Sequence, residues 1–90
     1  MRTLRLRRDG VAWSDLGTEI VILDLRSSTY YSVRDTGAFL MTALTEGASE
    51  QALIERLVSS YDTTEDTARS DVDEFLGELL RRDLLEPADG

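Results

Sequence analysis

Residues 19–25 place Ile20, Ile22 and Asp24 on one side of an extended chain and Val21, Leu23 and Leu25 on the other. That period of two predicts a strand, and apolar groups on both sides make it the central one of its sheet. A shorter β-compatible run, residues 11–14, precedes it, with Asp15-Leu16-Gly17 as the turn between them. After the polar stretch 26–29 the chain returns through Tyr30-Tyr31-Ser32-Val33, the partner of a second hairpin. A meander of this order leaves the third strand on an edge. Alternation puts Tyr31 with Val33 on one face and Tyr30 with Ser32 on the other.

From Asp35 the period becomes helical. Asp35 or Thr36 can cap a first helix carrying Phe39, Leu40, Ala43 and Leu44, which ends at Glu46-Gly47 with glycine in the position that favours a left-handed residue. Ser49 caps a second helix, whose Leu53, Ile54, Leu57 and Val58 form one apolar stripe. Thr63 or Thr64 opens a third and longest one, with Ala68, Val72, Phe75, Leu76, Leu79 and Leu80 at helical spacing. Glu65 and Asp66 at its start and Arg81 and Arg82 at its end complement the helix dipole. Leu84-Leu85 is expected to fold back onto the core. Gly77, inside this helix, costs roughly 1 kcal/mol relative to alanine. It marks either a solvent-facing position or a close approach by another backbone.

The expected fold class is α+β: an N-terminal three-stranded antiparallel sheet packed on a three-helix winged helix-turn-helix bundle. Residues 1–90 read as one domain, with 1–9 as a flexible arm and 87–90 as a tail. Arg2, Arg5, Arg7 and Arg8 either make a patch for an anionic ligand or, without aromatic partners, are simply the solvated part of that arm.

Composition narrows the chemistry. The chain has no histidine and no cysteine, which removes the usual general base, the thiol nucleophile, disulfides and Cys/His metal sites. No apolar run exceeds four residues, as at 20–23, which is far too short to span a bilayer, so no membrane association and a cytoplasmic location are expected. The net charge of −8 is uneven: residues 1–34 carry six arginines and four acids, residues 35–90 four arginines and fourteen acids. Such a field repels nucleic acid and attracts a basic partner. Carboxylates are the one abundant reactive group, and Asp71, Glu74 and Glu78 share a side of the third helix with Asp73 nearby. A run of acids on an exposed helix is most simply a solvated face. No glycine-rich phosphate loop follows a strand, Ser27-Ser28 has no base beside it, and neither a catalytic constellation nor a cofactor site emerges. A winged-helix regulator competes as a reading, but Glu65, Asp66 and Asp71 would put acids where a recognition helix meets phosphates. An edge strand with an aromatic pair beside an apolar and acidic helix also suits a peptide-binding groove.

Taken in order, Val11-Ala12-Trp13, the run 16–25, Thr29-Tyr30-Tyr31-Ser32-Val33-Arg34-Asp35-Thr36-Gly37, Phe75-Leu76-Gly77-Glu78-Leu79-Leu80 and Asp83-Leu84-Leu85 resemble the PqqD-like family. Its members serve as precursor-peptide recognition elements in ribosomal peptide modification. A stand-alone chain of this length is similar to the leader-binding proteins of lasso peptide pathways, which work beside a leader peptidase and a cyclase. The resemblance implies a monomeric, non-enzymatic binder, without cofactor or nucleic acid, that takes a leader segment as an added strand. It puts the leader backbone on Thr29, Tyr30, Tyr31, Ser32 and Val33, facing Asp71, Val72, Phe75, Leu76 and Leu79, with part of that apolar set belonging to the core. Asp71, Asp73, Glu74 and Glu78 would then meet basic residues of the leader. Asp35 stands where the family often has asparagine, and both residues cap helices.

Overall fold

The computed structural model describes residues 3–88. Its strands are β1 (Thr3–Leu6), β2 (Val11–Asp15), β3 (Glu19–Asp24), β4 (Thr29–Arg34), β5 (Ala48–Ser49) and β6 (Leu85–Pro87). Its helices are α1 (Thr36–Glu46), α2 (Glu50–Ser60) and α3 (Glu65–Arg81). The expected meander is present as an antiparallel sheet of order β2-β3-β4, with β3 central. The α+β class therefore stands. Among the described residues no helix is long and apolar enough to cross a membrane.

A second antiparallel sheet, β5-β1-β6, corrects the reading of residues 1–9 as an arm. Thr3–Leu6 is its middle strand, and Leu4 and Leu6 are buried while Thr3 and Arg5 are half-buried. Alternation explains the difference: each leucine faces the core, and the side chains between them face away from it. Arg5 Nε donates to a Glu86 carboxylate oxygen at 3.0 Å, and buried Arg7 reaches Asp24 at 3.4 Å. The Arg7 amide donates to the Leu84 carbonyl at 2.7 Å, so Arg5 and Arg7 are tied into the fold. The expected tail is corrected in part as well, because Pro87 pairs with Leu4 and the Ala88 amide donates to Thr3. Positions 1–2 and 89–90 of the arm and tail lie outside the described residues.

On β3 the two faces are unequal. Ile20, Ile22 and Asp24 are buried, whereas Leu23 is exposed and Val21 half-buried. Burial opposes ionisation of Asp24. The Arg26 amide at 3.0 Å and the Arg7 charge outweigh it, and the carboxyl stays below its ordinary value. The core continues through Leu40, Met41 and Leu44 of α1, Leu53, Ile54 and Leu57 of α2, and Ala68, Val72, Leu76 and Leu79 of α3. Leu84 and Leu85 close it, as expected.

Helix ends follow local chemistry closely. Ser49 accepts from the Ala52 amide at 3.1 Å and Thr64 from the Thr67 amide at 3.2 Å, so Thr64, not Thr63, opens α3. Gly47, at φ 113°, ends α1 in a conformation that a side chain would strain. Asp35 departs from its expected role. It precedes α1 with φ 54° and ψ −123° and makes no side-chain cap, because the positive φ serves the sharp turn out of β4.

The two readings of Gly77 are also resolved. An added Cβ would meet only the flexible Arg81 guanidinium, at 3.7 Å, so no backbone approaches there. Gly77→Ala is expected to stabilise the protein by about 1 kcal/mol, raising the midpoint of thermal unfolding by about 4–8 °C in circular dichroism.

Candidate peptide-binding groove

The pairing register decides which amides of β4 are free. The Leu16 amide donates to Glu19 and the Leu25 amide to Gly10, so odd-numbered residues of β3 bond towards β2. Even-numbered Ile20, Ile22 and Asp24 therefore bond towards β4, where they face Val33, Tyr31 and Thr29. It follows that Tyr30, Ser32 and Arg34 point their N–H and C=O groups away from β3, along the edge of the sheet. Side chains sort by the same rule. Tyr31 and Val33 lie on the face shared with Ile22 and Ile20, whereas Tyr30 and Ser32 lie on the opposite face. There Tyr30 is 70% exposed beside its cross-strand partner Leu23, and the Ser32 hydroxyl donates to Glu19. That bond, with Arg34 also near, holds the Glu19 carboxyl below its usual range.

Between β4 and α3 runs a cleft in two connected lobes. One, about 200 Å³, has Tyr31, Ser32 and Val33 on one wall and Phe75, Glu78, Leu79 and Arg82 on the other. The second, about 400 Å³, lies beyond the end of β4, between Thr36, Gly37 and Leu40 of α1 and Asp71, Glu74, Phe75 and Glu78 of α3. Phe75 and Glu78 border both lobes and make them one groove. Gly37 leaves room there, since a Cβ would come only into ordinary contact with Phe75 and Val33, both at 3.5 Å.

The sequence-derived residues divide accordingly. Asp71, Glu74, Phe75 and Glu78 line the groove, and Leu79, although buried, contributes to its floor. Val72 and Leu76 do not face it: they are core, at 0% and 6% exposure. They sit on the α3 stripe that packs inwards, one position along from the residues on the groove wall. Asp73 also departs from expectation. It turns towards Glu50 at the start of α2, and its proximity raises the Glu50 carboxyl above its ordinary value. Thr29, Tyr31 and Val33 spend their backbone groups on β3, leaving Tyr30 and Ser32 to bond a newcomer.

Sequence reading missed Arg82, Gly37, Thr36 and Leu40. Arg82 was legible, since Asp71, Phe75, Glu78 and Arg82 follow one helical stripe. Its guanidinium stacks 4.5 Å from the centre of the Tyr31 ring and donates to Glu78 at 2.7 Å. Arg81 pairs with the other oxygen of Glu78, and the two hydrogen-bonded guanidiniums hold that carboxyl below its usual range. Asp71 and Glu74, by contrast, enter no ion pair among the described residues. No cluster of metal-ligating side chains large enough to hold an ion occurs among them either.

The family described as Coenzyme PQQ synthesis protein D (PqqD) matches residues 19–85, which include β3, β4, all three helices and the whole groove. The chain belongs to the PqqD family. Two solved structures share this PqqD fold at 26% sequence identity. One, titled "TbiB1 in Complex with the TbiA(beta) Leader Peptide", has a TM-score of 0.85 and covers 91% of this chain and 94% of its own. The other, titled "Lasso peptide synthetase B1 complexed with the leader peptide", has a TM-score of 0.81 and covers 93% and 98%. No curated protein matches the chain.

Proposed function

We propose that this PqqD-family chain binds the leader segment of a ribosomally made precursor peptide by β-strand addition to β4. It presents that segment to the enzymes of lasso-type peptide biosynthesis, a leader peptidase and a cyclase, and supplies no catalysis of its own. The observation that carries the reading is the free edge of β4, whose Tyr30 and Ser32 amides lie beside a groove walled by Phe75 and acidic side chains. Relatives of this fold were solved with leader peptides, which supports the same ligand class here. The first turn of α3 carries exposed Glu65 and Asp66, which speaks against DNA as the ligand.

The direct test is isothermal titration of the protein with the leader peptide encoded beside it. One-to-one binding that weakens as salt rises is expected, because Asp71 and Glu74 contribute attraction that salt screens. No heat of binding at high micromolar concentrations would remove the proposal. A shift of neighbouring promoter DNA at physiological salt would favour the regulator instead.

A further inference from the structure

The groove carries charge of opposite sign at its two ends. Asp71 and Glu74, both exposed and without ion pairs among the described residues, border the lobe beyond the end of β4. At the far end Arg82 lines the groove and stacks on Tyr31, and it shares its one carboxylate, Glu78, with the neighbouring Arg81, so positive charge exceeds negative at that end. The wall residues also give the direction. Tyr31 lies opposite Arg82, and Gly37 lies opposite Phe75 and Asp71, so β4 runs from the cationic end to the acidic one. A strand added antiparallel to β4 runs the other way, and antiparallel pairing is the geometry of the whole β2-β3-β4 sheet.

We infer that the groove selects leaders by charge order, taking a Lys or Arg against Asp71 and Glu74 and, further towards the leader's C-terminus, an Asp or Glu against Arg82. The inference rests on strand addition to β4 and adds to it a direction and a spacing. Asp71 and Arg82 are eleven positions apart on one helix, roughly 16 Å at 1.5 Å per residue. An extended peptide covers that distance in about five residues. Overall acidity alone would favour any basic peptide, whichever way its charges were ordered. The groove discriminates because a reversed peptide meets like charge at both ends.

The experiment is selection from a displayed library of random dodecamer peptides. It is run on the unaltered protein, on Ser32→Pro, on Tyr30→Pro, and on the charge-swapped Asp71→Lys/Glu74→Lys/Arg82→Glu, each checked for folding by circular dichroism. Peptides enriched on the unaltered protein and lost on a proline variant are those bound by strand addition. These should carry a basic residue about five positions before an acidic one, and the charge-swapped protein should enrich the opposite order. Exchanging the two charges within one enriched peptide should weaken binding roughly fivefold to thirtyfold, the size of two or three exposed ion pairs. Random or reversed charge order among strand-adding peptides would overturn the inference while leaving strand addition standing. No enrichment, or enrichment that both proline variants retain, would overturn strand addition and the charge order with it.

Discussion

Replacing Ser32 by proline is expected to weaken leader binding by about 1.5–3 kcal/mol, roughly tenfold to a hundredfold, while the protein remains folded. The Ser32 amide faces the open edge, so proline removes a bond that only an incoming strand would use and places its ring in that strand's path. No bond of the β3–β4 ladder is lost. Two comparison variants separate the causes. Ser32→Ala removes only the hydroxyl that donates to Glu19 on the exposed face and should bind almost normally. Tyr31→Pro removes an amide that faces Ile22 and should destabilise the sheet itself. Titration of the neighbouring leader into each variant, with urea unfolding alongside, checks the set. Equal binding by Ser32→Pro and the unaltered protein would exclude strand addition at this edge.

Removing the two leucines of β1 should cost most of the stability. Leu4 and Leu6 are 7% and 3% exposed, and each leucine-to-alanine change in such a core costs about 2–5 kcal/mol. A domain of this size has only about 5–13 kcal/mol in total, so Leu4→Ala/Leu6→Ala should be largely unfolded or close to it. The strand also anchors both of its neighbours: β5 leads into α2 and β6 closes the chain over the core. Urea unfolding followed by circular dichroism measures the loss. A solvated arm would tolerate both changes with stability altered by less than about 0.5 kcal/mol.

The contrast between β1 and β3 shows what was legible. In β3 the alternation extends over six residues and both hairpin partners adjoin it in sequence, so the strand and its central position can be read directly. In β1 the same alternation, Leu4 and Leu6 against Thr3 and Arg5, is present, but four arginines in residues 1–8 make it look like a charged arm. Its partners are the very short β5 and β6, from the middle and the end of the chain, and neither announces a strand by itself. Glu86 and Asp24, which accept Arg5 and Arg7, also lie far along the chain, 81 and 17 positions away.

The candidate site divides along the same line. By itself the sequence determined the α+β class, the three helices, the cap at Ser49 and a start for the third helix at Thr63 or Thr64, the edge strand 30–33 and the acidic character of α3. These depend on side-chain periodicity and hydrogen bonds within a few residues. Tertiary structure decided that Val72 and Leu76 pack inwards, that Asp73 meets Glu50, and that Thr36 and Gly37 join the groove. It also decided that Tyr30 and Ser32, and not Tyr31, keep their amides free. Periodicity places residues around one helix or strand, but a groove has two walls. Which stripe becomes a wall depends on where the shared core brings β4 and α3 together, and which amides stay open depends on a register set by pairing along the whole of β3.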